Sequence, residues 1–150
     1  MIVRKWKKED FKDMINLGEK MCNEGAYKNV SYSKKKLETM ANKLIDNDKG
    51  MGFVAIDDNE IIGMMIVYLR NYFFSDDVFC HDLLLYVDPY KRKSIKVPVK
   101  LINMATEWAK EKGAKEFRPA SSVGVEKEKV AKLYNFMKFE NVGYVFRKEL

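Results

Sequence analysis

The sequence predicts a mixed α/β domain in which a central, mostly antiparallel sheet is covered by helices on both faces. Helix-period and strand-period segments alternate along the whole chain, and a tight turn joins two β-rich runs near its middle. A nearly continuous apolar strand is then followed by a basic turn and a long amphipathic helix. The order read from these periods is β α α β β β α β α β. No linker, repeat or low-complexity stretch interrupts it, so residues 1–150 are expected to form one domain.

At the N-terminus "IVRKW" alternates as a short strand, and "KKEDFKDMINLGEKMCNEG" places Phe11, Met14, Ile15, Gly18 and Cys22 on one helical face before Gly25. Ser33 then suits the N-cap of a second helix, in which Leu37, Met40, Ala41, Leu44 and Ile45 recur at helical spacing. "GFVAID" and "EIIGMMIVYL" are strands joined at Asp58-Asn59, residue types that tolerate the positive φ angles of a hairpin turn. "VFCHDLLLYV", Val78 to Val87, reads as a central strand buried on both faces, and Asp88-Pro89 ends it. Pro98 fits the first turn of the next helix, with Val97, Leu101, Met104, Ala105 and Trp108 as its buried stripe and Gly113 as its stop. "EFRPA" is a short strand, and "EKEKVAKLYNFM" a helix with Val130, Leu133, Tyr134 and Met137 inward. "VGYVFRKEL" alternates Val142, Tyr144 and Phe146 as a closing strand.

Composition narrows the function classes. Hydrophobic residues make up 47% and charged residues 33%, with three prolines, a balance that excludes disordered and fibrous chains. No apolar run approaches the roughly 20 residues that cross a bilayer, so a cytoplasmic location is expected. Cys22 and Cys80 are too few and too far apart for a disulfide framework or a zinc site; they suit small core residues in a reducing compartment, and no metal is expected. Cys80-His81 is not a nucleophile pair, because neighbours in a strand point to opposite faces. The net charge of +6 admits a phosphorylated small molecule, a nucleic acid or an acidic protein as partner. A nucleic-acid-binding module would use the basic segments with Trp6, Tyr72 and Phe73, but no aromatic RNA-binding run is present.

The segment "LLLYVDPYKRKSIKVPVKLI" concentrates the basic charge between a strand and a helix. A helix N-terminus offers free N–H groups and the positive end of the helix dipole, so such a turn can cradle an anion. This strand, turn and helix, extended through "NMATEWAKEKGAKEF", resembles the pyrophosphate-binding unit of the GCN5-related N-acetyltransferases. "VAKLYNFMKFENVGYVFRKEL" resembles that family's C-terminal A-x-x-L-Y-x-x-x-G-F helix and final strand. The phrases "WAKEKGAKEF" and "VGYVFRKEL" are similar to those of acetyltransferase-like proteins of bacteria and their phages.

The resemblance implies acetyl-CoA as co-substrate and transfer of its acetyl group to a primary amine, directly within a ternary complex. It implies that the backbone of Leu85, Tyr86 and Val87 holds the pantetheine arm, and that Lys91, Arg92, Lys93, Ser94, Ile95, Lys96 and Val97 surround the phosphates. Ser94 and Lys96 stand where the family carries small residues, usually glycine; Ser94 is a mild change, since this turn need not have φ > 0. The resemblance further implies Tyr134 as the acid that protonates the leaving sulfur. Asp82 is the leading candidate base, and strand periodicity places it on one face with Cys80, Leu84 and Tyr86, opposite His81, Leu83 and Leu85. His81 is the second candidate, and only one of the two is expected to face the substrate. Burial among apolar side chains would raise the pKa of Asp82. The expected partner is an amine of a small molecule, a protein lysine or an N-terminus; a homodimer is left open, and neither a membrane nor a nucleic acid is expected. The alternative is a degenerate form of the fold kept for protein interaction.

Overall fold

The computed structural model describes residues 1–150. Its elements are β1 (Ile2–Lys5), α1 (Phe11–Glu24), α2 (Lys34–Ile45), β2 (Gly50–Asp57), β3 (Glu60–Asn71), β4 (Val78–Val87), α3 (Lys96–Glu111), β5 (Phe117–Arg118) and α4 (Lys127–Phe136). One five-stranded sheet runs in the order β1-β2-β3-β4-β5; the first four strands are antiparallel neighbours, and β5 joins β4 in parallel. The β2–β3 turn forms as its residue types require, with Asp58 and Asn59 at φ 48° and 63°. No helix is long and apolar enough to cross a membrane.

Helices cover both faces of the sheet. On one face α1 and α2 bury Phe11, Met14, Leu17, Met21 and Ala41 with Trp6 against Val54, Met64, Ile66 and Tyr86. On the other, Val97, Leu101, Ile102, Ala105 and Trp108 of α3 and Tyr134 of α4 lie on Phe53, Met65, Val67 and Cys80. Each large apolar side chain buried in this way contributes about 1.5–3 kcal/mol. Gly52 has a steric role: a Cβ there would fall 2.3 Å from the Trp6 ring, which lies directly on β2.

Ser33 caps α2 as expected, accepting from Lys36 N at 3.2 Å. The stripe of α1 is turned slightly from the one expected: Leu17 and Met21 are buried, while Ile15 and Cys22 are half-buried at its edge. Only Ala41 of the expected α2 stripe is buried.

Two expectations fail. Residues 139–150 form no strand, and Val142, Tyr144 and Phe146 lie exposed. Alternation marks a segment that can pair, but a strand also needs an edge to pair with, and this segment meets none within its own chain. The second failure is in β4, where Leu84 opposes Ile66 and Asp82 opposes Val67, so Leu83 is an extra residue without a partner on β3. This bulge breaks the two-residue period. Asp82 shares a face with Cys80 and Leu85, as its partner Val67 shows, whereas Leu84 and Tyr86 point to the α1 side.

Candidate active site

Strands β4 and β5 pair only through Cys80–Phe117 and His81–Arg118. Beyond His81 they part, and β4 runs on to Val87 with no strand on that side. The gap opens into a cavity of about 210 Å³, bounded by β4 from His81 to Val87, the start of α3, residues 120–126 and α4. Backbone groups along such an edge are free to bond an extended ligand.

Tyr134 enters this cavity from α4, and the end of that helix holds it in place. Phe139 N donates to Tyr134 O at 2.9 Å and Lys138 N to Asn135 O at 3.0 Å, while the Phe139 and Tyr134 rings pack at 5.3 Å. These are the paired bonds and apolar contact of a Schellman cap. Its left-handed position is held by Lys138 at φ 64°, at the residue where the resembled motif carries glycine. The Tyr134 hydroxyl is buried and has no hydrogen-bond partner. Burial, reinforced by the charge of Asp82, drives its pKa far above that of a free phenol, so the proton stays on oxygen.

Asp82 lines the same cavity and is 7% exposed. Its Oδ1 accepts from Ala120 N at 2.8 Å. Burial raises the carboxyl to about 6, against the lowering effect of the Ala120 N–H and of His81. His81 also reaches the cavity, contrary to the expectation that only one of the two would. It stands at the rim, its side chain 32% exposed, its ring stacked on Tyr68 at 5.6 Å and its Nδ1 2.6 Å from Asp82 O. Cys80 lies buried beneath, its thiol pushed up to about 12 by burial, which leaves it an inert core residue.

The basic turn begins with Asp88, whose Oδ1 accepts from Tyr90 N at 3.0 Å and whose Oδ2 pairs with Lys20 at 2.8 Å. No residue from 88 to 97 has a positive φ, so the path of this turn does not require the absent glycines. Ser94 Oγ accepts from Lys96 N at 3.1 Å and thereby occupies one amide at the start of α3. Leu85, Tyr86, Val87, Arg92, Ser94 and Ile95 line the cavity; Lys91, Lys93 and Lys96 lie outside it, and Val97 is in the core. Arg92 does not stand free. Its Nε donates to Val87 O at 2.8 Å and its Nη2 to Glu24 Oε2 at 2.8 Å, and its guanidinium lies 5.0 Å from the Tyr86 ring.

Glu24 and residues 120–126 were not legible as site residues. Glu24 ends α1 among outward-facing polar positions and comes to the site only because Tyr86 donates to it at 2.6 Å and Arg92 pairs with it. The Arg92 partnership holds its carboxyl below the usual range. Residues 120–126 carry one signal, Gly124, which takes φ 76° before α4.

No protein-family model and no curated protein sequence matches the chain. Solved structures do. A complex of the acetyltransferase AAC(6')-Iy with the bisubstrate analogue CoA-S-monomethyl-acetylneamine superposes with a TM-score of 0.79 at 19% identity, covering 99% of this chain and 98% of that one. The aminoglycoside 6'-N-acetyltransferase AAC(6')-IG of Acinetobacter haemolyticus gives 0.75 at 20% identity over 100% and 99% of the two chains. A transcriptional regulator from Bacillus halodurans C-125 gives 0.80 at 16% identity over 99% of each. The chain thus shares the fold of these acetyltransferases.

Proposed function

We propose that the protein is an acetyl-CoA-dependent N-acetyltransferase that moves the acetyl group directly to a primary amine in a ternary complex. The observation that carries this reading is the buried, unpartnered Tyr134 hydroxyl in the cavity between the parting strands. A buried hydroxyl without a partner costs about 1–3 kcal/mol, a cost that a ligand atom placed there would remove. The likeness in fold to acetyltransferases, one of them in complex with a CoA-bearing analogue, supports the same reading.

The residues fit acetyl-CoA. The edge of β4 at Leu85, Tyr86 and Val87, open except that Val87 O accepts from Arg92 Nε, suits the amide-bearing pantetheine arm. Lys91 and Lys93, with the N-terminal amides of α3, suit the phosphates. Acyl transfer to an amine requires that the amine lose a proton, that developing negative charge be met by donors, and that the departing sulfur gain a proton. Tyr134 keeps its proton at every physiological pH and so can donate it to the sulfur. Asp82, ionised above about pH 6, accepts the proton of the amine.

The test is release of free CoA thiol in the presence of an aminoglycoside, a polyamine or a lysine peptide, comparing the native protein with Tyr134→Phe. The substitution keeps the ring and removes only the hydroxyl. We expect CoA affinity to stay unchanged and kcat to fall roughly 10–100-fold, the lower end of general acid catalysis, since a thiol is a good leaving group. Undiminished turnover would assign Tyr134 to packing alone. An absence of turnover with every amine, together with no CoA binding, would favour a fold retained for protein interaction.

A further inference from the structure

Arg92 is held from several sides. Its Nε donates to Val87 O at 2.8 Å, and its Nη1 and Nη2 donate to the two carboxylate oxygens of Glu24 at 2.5 and 2.8 Å. Nη1 also lies 3.4 Å from Glu126 Oε2, and the guanidinium covers the Tyr86 ring. Tyr86 in turn donates to Glu24 Oε2 at 2.6 Å, which fixes the carboxylate that fixes the arginine. A forked arginine–carboxylate pair is among the stronger and more directional contacts in proteins. The Arg92 side chain is 19% exposed, so water and salt screen this pair only in part.

What Arg92 occupies is what the cavity offers a ligand. Among the cations of the basic turn only Arg92 lines the cavity, and its charge is met by Glu24 instead of standing ready for an anion. Val87 O is an acceptor on the β4 edge, and Arg92 Nε fills it. Glu24 ends α1 and Glu126 precedes α4, so one side chain ties both helices to the end of β4. Glu126 holds a left-handed position, φ 42°, that a residue with a β-carbon disfavours, and no side-chain cap supports it. Its ion pairs with Arg92 and Lys129 anchor its side chain there.

We infer that Glu24 is a positioning residue that withholds Arg92, so that a diphosphate entering the cavity competes with Glu24 for one guanidinium, an inference that rests on the reading of the cavity as the acetyl-CoA site. A guanidinium forks onto a phosphate as well as onto a carboxylate, so the exchange replaces one charge-assisted pair by another. Swinging away also uncovers Val87 O, which an amide N–H of the pantetheine arm then fills. Both events belong to one rotation of one side chain. Ligand binding is therefore weakened by the free energy of the Glu24 pair, and Glu24 sets the affinity without touching the ligand.

The experiment is calorimetric titration of the full chain with CoA, for the native protein, Glu24→Gln, Arg92→Ala and the double variant, with circular dichroism to check folding. Glutamine keeps an acceptor for the Tyr86 hydroxyl and removes the charge that holds Arg92. Couplings of this kind are typically about 5–150-fold, and for a partly exposed pair we expect Glu24→Gln to tighten CoA by about 5–20-fold. In the Arg92→Ala background the same change should have no effect, because Glu24 acts through Arg92. Nitrogen-15 NMR of the Arg92 Nε–H follows the contact with Val87 O directly: we expect slow exchange with water in the native chain and loss of that protection on adding CoA. This measurement needs no variant, so it decides even where a substitution disturbs the fold. CoA binding that Glu24→Gln leaves unchanged or weakens, or tightens equally without Arg92, overturns this inference alone, as does an Arg92 signal that bound CoA leaves in place. CoA binding by none of these chains overturns it together with the proposed function.

Discussion

Asp82 has one backbone donor, at Ala120, and almost no contact with water, so the folded protein holds its carboxyl near pH 6 instead of 3.8. A group whose pKa is raised by folding contributes its stability in full below the unfolded value, and that stability is lost as pH rises through the folded value. At pH 8 the ionised, buried carboxylate therefore costs folding up to about 3 kcal/mol. Asp82→Asn keeps an acceptor for the Ala120 N–H and removes the charge. We predict that it stabilises the protein by about 1–3 kcal/mol at pH 8 and changes it little at pH 4, measured by urea unfolding at the two pH values. An equal effect at both would show that the carboxylate is not buried as described. If the protein is the proposed acetyltransferase, its turnover should rise through about pH 6 and be lost in the same variant. The burial of Asp82 was legible from the apolar run around it. Its company was not, because the bulge at Leu83 depends on register with β3, which no local period records.

Two elements shape the site, and they were legible to different degrees. The strand, basic turn and α3 lie where periodicity and the Asp-Pro and Gly113 signals placed them. What the charge run concealed is that Arg92 folds inward onto Glu24, a pairing between residues 68 positions apart. The end of α4 carries a cost. Lys138 occupies a left-handed cap position that glycine adopts without strain, and non-glycine residues pay about 1–2 kcal/mol there. Glycine loses some of this gain to greater unfolded-chain entropy. Lys138→Gly is therefore predicted to raise stability by about 0.5–1 kcal/mol, read from the urea midpoint at unchanged slope. Destabilisation would mean that the lysine side chain holds the cap in some other way. Since Phe139 and Tyr134 close the same cap, the substitution should leave Tyr134 in place.

At the scale of the whole molecule, the order of elements and the helices on both faces followed from periodicity, because each amphipathic face reports which side must be buried. The final strand did not, for a physical reason. Val142, Tyr144 and Phe146 record that the segment is suited to a sheet, while the edge it meets is set by where α4 ends. The cavity is likewise a property of the whole fold, since it exists only because β4 and β5 separate after two pairs. Whether that cavity takes acetyl-CoA is tested most directly by a thermal-shift titration. Ligand at 100 times its Kd should stabilise the native state by about 2.7 kcal/mol, raising Tm by roughly 5–10 °C for a domain of this size. No shift with millimolar acetyl-CoA or CoA would contradict acetyl-CoA binding in the cavity.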